Sequence, residues 1–202
     1  MHLGTAFAVR PDGVFLTAAH VVKDARIVTV KCPGKLPDAA TVLSTAYALD
    51  VAVIQGRQPT PVYLPLAKVR SIRIGERIFS VGFPAPALLG PGTKFTDGAV
   101  SSLSGPGGEA AIMQITVPLQ PGNSGGPVLN ESGEVIGIVV STAAVMPFLA
   151  GTGALPQNVN FAIKSEFALP LFEAPQTRAT AISRQKAIDN AVEATCLIEA
   201  SA

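Results

Sequence analysis

The feature that most constrains this chain is a series of short apolar and β-branched runs separated by turn formers. They fall at residues 5–9, 14–17, 26–31, 41–45 and 51–55, then at 76–82, 97–104, 111–117, 128–129, 135–141 and 159–163. Between them stand turn sequences such as Pro11-Asp12-Gly13 and Glu131-Ser132-Gly133-Glu134, whose residues preset or tolerate the dihedrals of tight turns. Many short strands at this spacing predict an all-β sandwich or barrel. The 19 Gly and 17 Pro, scattered between the runs, agree with that. A more polar link near residues 68–74 separates two strand-rich halves. Only the tail reads as helix: over 183–195, Ile188, Ala191, Val192 and Thr195 fall at helical spacing, with Arg184, Lys186, Asp189 and Glu193 for the wet side.

Bulk properties narrow the function classes. Hydrophobic residues make up 48% of the 202 and charged residues 14%, the balance of a globular chain. The formal net charge is +1 with no block of like sign, so neither a nucleic-acid partner nor an anionic membrane surface is expected. Residues 135–163 carry no charge and are long enough to raise a membrane span. Gly137, Pro147, Gly151, Gly153 and Pro156 break that stretch, so strand, loop and strand is the better reading. Cys32 and Cys196 show no metal spacing and no CxxC motif, and two free, buried thiols are expected of them. No charged segment leading into an apolar one opens the chain, which favours a cytoplasmic setting, although the chain could be a fragment. No ligand cluster predicts a metal, and no cofactor is expected.

One stretch carries chemistry: Leu119 to Val128, LQPGNSGGPV, in which a single hydroxyl sits among glycines and prolines. A serine is a poor nucleophile until a base takes its proton, and the usual base is a histidine oriented by a carboxylate. Of the two histidines, His2 is terminal, whereas His20 follows an apolar run in LTAAHVV. Asp50 directly precedes the apolar run at 51–55, where an acid is costly to bury without a partner. Gly122-Asn123-Ser124-Gly125-Gly126 also fits the G-x-S-x-G elbow of α/β-hydrolases, but that fold needs a histidine after the serine and none follows Ser124. The order His20, Asp50, Ser124 matches the chymotrypsin arrangement instead.

GTAFAV (4–9), FLTAAHVV (15–22), LDVAVI (49–54), GAVSS (98–102), PGNSGGPV (121–128), GEVIGIV (133–139) and NFAI (160–163) occur in order. Together they resemble a chymotrypsin-like serine protease, closest in style to the high-temperature-requirement (Deg-type) branch. The resemblance implies two packed six-stranded antiparallel β-barrels with the active site in the cleft between them. It divides the chain into an amino-terminal barrel (1–70), a carboxy-terminal barrel (71–172) and a linker, helix and strand (173–202). Ser124 is then the expected nucleophile, His20 the general base and Asp50 the residue that fixes its tautomer. Gly122, Asn123 and Ser124 form the expected oxyanion hole, with the N–H groups of Gly122 and Ser124 as its donors. Pro118, Leu119 and Val159 should bound the primary specificity pocket, and Val140, Ser141 and Thr142 should pair with substrate backbone. None of these is acidic, so small or medium aliphatic residues should be preferred before the scissile bond.

Protein or peptide substrates are the partners implied. An idle peptide-binding scaffold on the same fold is the alternative. The loops 84–93, 104–108 and 143–157 are candidates for order–disorder control of activity, and no segment remains for an appended peptide-binding domain. The family normally has a helix and a first strand before GTAF. AIDNAVEATCLIEA at 187–200 looks like that pair. The expectation is that 194–200 fills the first-strand position, as a circular permutation or as a strand exchange that would make a homo-oligomer. A plain surface helix, or the severed start of a second copy, is the other option.

Overall fold

The structure is a computed structural model that describes residues 1–140, 158–175 and 181–202. Twelve strands among these residues form two closed six-stranded antiparallel barrels. The first contains β1 (His2–Ala8), β2 (Val14–Ala18), β3 (Ile27–Lys31), β4 (Asp38–Ala46), β5 (Val51–Gly56) and β12 (Thr195–Ser201). The second contains β6 (Arg77–Gly82), β7 (Lys94–Ser102), β8 (Ile112–Ile115), β9 (Pro127–Asn130), β10 (Val135–Val139) and β11 (Asn160–Lys164). Among the described residues three short or terminal α-helices accompany them: α1 (Ala19–Val22), α2 (Pro86–Leu89) and α3 (Arg184–Ala194).

Each barrel has an interior of side chains too large for a polar lumen. Phe7, Leu16, Ile54 and Ile198 are fully buried in the first, and Met113, Ile115 and Ile136 in the second. Burying a side chain of this size contributes about 1.5–3 kcal/mol. Strand β4 alternates half-buried and exposed residues, the signature of a strand with one wet face. Strands β2 and β10 are buried along their whole length, because each also faces neighbouring structure on its outer side.

The barrels are stitched by the segments between and after them. The link from the first barrel forms a parallel bridge from Leu66 to Val135 of β10, with Ala67 N–H donating to Val135 O and Val135 N–H to Pro65 O. At the carboxy end, Ser183 caps α3 by accepting the Lys186 N–H. The helix lies on the second barrel: Ala187 packs against Gly133, and Arg184 reaches Asp97 at 3.1 Å and Glu131 at 3.4 Å while lying over the Phe95 ring. The chain then crosses directly into the first barrel as β12.

Strand β12 sits between β1 and β3, antiparallel to both, with Thr5 opposite Leu197 and Lys31 opposite Leu197 on the other side. The last strand in sequence is therefore an interior member of the first barrel, formed within one chain. Without it β1 and β3 would be unpaired edges.

The same register corrects the expectation of free thiols. Cys32 and Cys196 are joined by a disulfide, with Cα atoms 4.3 Å apart. That is the spacing of closely facing residues in an antiparallel pair, about 4.5 Å. The pairing depends on β12 lying beside β3, a contact across 164 residues of sequence, so spacing alone could not reveal it.

Candidate active site

His20 is the half-buried member of α1, whose other residues, Ala19, Val21 and Val22, are buried. A buried strand running into a one-turn helix thus fixes the backbone and leaves the imidazole, 42% exposed, facing out. Asp50 ends the 3₁₀ turn Tyr47–Leu49 in a left-handed conformation, with φ at 55°, one that Asp tolerates better than most residues. There the carboxylate serves two atoms of one residue. Oδ1 accepts the His20 backbone N–H at 2.8 Å, and Oδ2 lies 2.6 Å from His20 Nδ1. The Asp50 carbonyl also accepts the Ala19 N–H at 3.0 Å. A carboxylate on Nδ1 selects the tautomer with its hydrogen there, which leaves Nε2 with a free lone pair.

Ser124 lies in the loop between β8 and β9, and it shares a cleft of about 210 Å³ with His20. The loop's backbone is held carbonyl by carbonyl. Gln120 O accepts the Asn123 N–H at 3.0 Å, Pro121 O the Ala85 N–H at 2.7 Å, and Gly122 O the Thr5 hydroxyl at 2.7 Å. Asn123 O accepts the Gly126 N–H at 2.9 Å and Ser124 O the Thr5 N–H at 2.9 Å. In a trans peptide the N–H points opposite to its carbonyl. Anchoring the Pro121 and Asn123 carbonyls to the protein therefore turns the N–H groups of Gly122 and Ser124 the other way. Neither of those has an acceptor among the described residues.

Two glycines make this path accessible. Gly122 has φ at 102° after Pro121, the third position of a type II turn, and a Cβ there would run into the Phe83 carbonyl. Gly125, at φ 85°, has no room for a Cβ against Thr5 O and Ala18 N.

The sequence-derived site residues divide clearly. His20, Gly122, Ser124, Leu119 and Val140 line the cleft, together with Val21, Gln120, Pro121 and Val139. Asp50 stands behind His20. Asn123 is buried and its N–H closes the turn onto Gln120, so it is not a free donor like its two neighbours. Pro118 is exposed and Val159 half-buried, and neither lines the cleft. Ser141 and Thr142, like the loop 143–157, lie outside the described residues. His2 and Leu3 of β1 line the cleft although nothing in their sequence context marks them. Among the described residues no group of His, Cys, Asp or Glu is arranged to hold a metal, and no helix is long and apolar enough to cross a membrane.

Two closed six-stranded barrels, with a Ser–His cleft and a carboxylate on the histidine, define the chymotrypsin-like class of fold. The chain belongs to the trypsin-like peptidase domain family, whose model matches residues 4–138. It is 38% identical over 162 residues to an uncharacterized protein of Sinorhizobium fredii, covering 80% of this chain and 25% of that one. It is 34% identical over 172 residues to the mitochondrial serine protease HTRA2 of Bos taurus, covering 81% of this chain and 34% of the relative. The crystal structure of the serine endoprotease from Yersinia pestis superposes with a TM-score of 0.68 at 25% identity, over 84% of this chain and 56% of that one. The chain thus spans between a quarter and about a third of the length of these two curated relatives.

Proposed function

We propose that this chain is a serine endopeptidase in which Ser124, His20 and Asp50 act as one unit. The observation that carries the proposal is the Asp50–His20 pair opening onto the same cleft as Ser124, whose loop leaves two N–H groups without acceptors among the described residues. The relatives named as serine proteases support the same reaction.

The steps follow from the groups present. Ser124 Oγ attacks the scissile carbonyl carbon as His20 Nε2 takes the hydroxyl proton. The carbonyl electron pair moves onto oxygen, where the N–H groups of Gly122 and Ser124 stabilise it. Asp50 stabilises the imidazolium without taking its proton. Collapse of the tetrahedral species breaks the C–N bond, and His20 delivers the proton to the leaving amine. Water, activated by the same imidazole, then hydrolyses the acyl-enzyme and restores Ser124.

The residue before the scissile bond should be small and aliphatic. Leu119, 8% exposed, fills part of the cleft wall beside Gln120. Among the described residues no carboxylate lines the cleft to meet an Arg or Lys side chain. The Cys32–Cys196 bridge bears on setting, since disulfides persist in oxidising compartments and are rare in reducing ones. We place the folded domain in an oxidising setting, a departure from the cytoplasmic one that the sequence favours. Casein or a peptide ending in Ala before the cut, incubated with wild type and Ser124→Ala, tests the function. Cleavage by the wild type alone is expected; equal cleavage by both would refute the assignment.

A further inference from the structure

Thr5 has no solvent exposure and belongs to β1, where its one ladder partner is Leu197 of β12. The ladder to β2 begins one residue later, at Ala6. Thr5 therefore has a free side, and that side faces the nucleophile loop. Its N–H donates to Ser124 O at 2.9 Å. Its hydroxyl donates to Gly122 O at 2.7 Å and accepts the Phe83 N–H at 3.2 Å. Its carbonyl accepts the Thr17 hydroxyl at 2.8 Å. One hydroxyl proton and two lone pairs can satisfy both side-chain contacts at once.

The backbone contact to Ser124 is one that any residue at position 5 could make. The hydroxyl contact is not. It reaches the carbonyl of Gly122, a residue free to adopt either sign of φ. The turn Gln120–Asn123 is type II because the Pro121–Gly122 peptide points one way; a type I turn carries the same ends with that peptide reversed. Ala85 holds the peptide before Gly122 and the Thr5 hydroxyl holds the peptide after it. Reversal of the first must therefore break the Ala85 contact, while the Thr5 hydroxyl fixes the second peptide, the one that stands between the Gly122 and Ser124 N–H groups.

We propose that Thr5 is a positioning residue for catalysis, its hydroxyl locking the Gly122–Asn123 peptide so that the Gly122 and Ser124 N–H groups stay aimed at the reacting carbonyl. The inference rests on the reading of Ser124 as nucleophile. Thr5 touches no substrate and acts through the loop. It also joins the site to the carboxy-terminal strand, because its ladder partner is Leu197 of β12.

The test compares Thr5→Val, which keeps the shape and removes the hydroxyl, with Thr5→Ser, which keeps the hydroxyl. Peptide hydrolysis and inhibition by a peptide boronic acid, a mimic of the tetrahedral species, are measured on both at temperatures where each is folded. Thr5→Val should lose roughly 30-fold or more in kcat with KM changed by no more than about threefold, as expected for oxyanion stabilisation. Its boronic acid affinity should fall in parallel, and Thr5→Ser should stay within about threefold of wild type. If Thr5→Val does not fold, Thr5→Ala replaces it. A folded hydroxyl-free variant with wild-type kcat and boronate affinity overturns the proposal, as does a folded Thr5→Ser equally damaged. Failure of both hydroxyl-free variants to fold would make Thr5 a determinant of the barrel and would likewise overturn it. Ser124→Ala assayed alongside separates the two questions: if it retains activity the endopeptidase reading fails, whatever Thr5 does.

Discussion

Cys32 and Cys196, 164 residues apart, are linked across adjacent strands, so the carboxy-terminal strand is covalently fastened into the amino-terminal barrel. A cross-link closing so long a loop restricts the unfolded chain strongly, and bridges of this kind contribute about 2–4 kcal/mol. Cys32→Ser or Cys196→Ser should lower the melting temperature by roughly 5–15 °C in a chain of this size. Calorimetry checks the shift, and alkylation with intact mass should find no free thiol before reduction.

Removing residues 177–202 takes away both α3 and β12, and with them the ladder partners of β1 and β3. The truncated chain should lose the folded amino-terminal barrel. Circular dichroism with thermal melting would show it, and an unchanged melting temperature would mean that β12 is dispensable.

Besides the packing of Ala187 on Gly133, α3 grips the second barrel by Arg184, through Asp97, Glu131 and the Phe95 ring. These groups are partly exposed, so water screens the ion pairs and little is expected of each alone. Arg184→Ala should destabilise by about 1 kcal/mol, mostly through lost packing over Phe95. Urea denaturation of the two proteins measures the difference.

How much of this was legible in the sequence depended on the range of the interactions. Local periodicity and turn chemistry mark most strands, and the order of His20, Asp50 and Ser124 among glycine-rich neighbours marks the cleft residues. The 3₁₀ turn Pro106–Gly108 and the helix Pro86–Leu89 fall inside loops that sequence could only describe as Gly/Pro-rich. Thr5 was opaque because its role consists of contacts at separations of 12 to 119 residues. The disulfide was opaque for the same reason. Leu119 is legible as apolar, but only the folded cleft distinguishes it from Pro118, its exposed neighbour.

The cleft geometry predicts a further change. Leu119→Ala should enlarge the wall next to Gln120 and shift preference toward larger aliphatic or aromatic residues before the cut. A discrimination change of about 10-fold is expected for a few methylenes. A peptide library profiled by mass spectrometry checks it, and a profile dominated by Arg or Lys in the wild type would contradict the account of the pocket.

Alanine at His20, Asp50 or Ser124 should each reduce kcat by roughly 10⁴-fold or more, and the His20/Ser124 double variant should lose little beyond either single one. Additive losses would mean that the three side chains do not act together. Steady-state kinetics on the four variants decides this.

The most direct measurement is reaction of the intact protein with a fluorophosphonate probe, read by intact mass and peptide mapping. One probe added per chain, at Ser124 and abolished by His20→Ala, is the predicted result. No adduct on the folded protein, or an adduct on another residue, would contradict the claim that Ser124 is a nucleophile activated by His20.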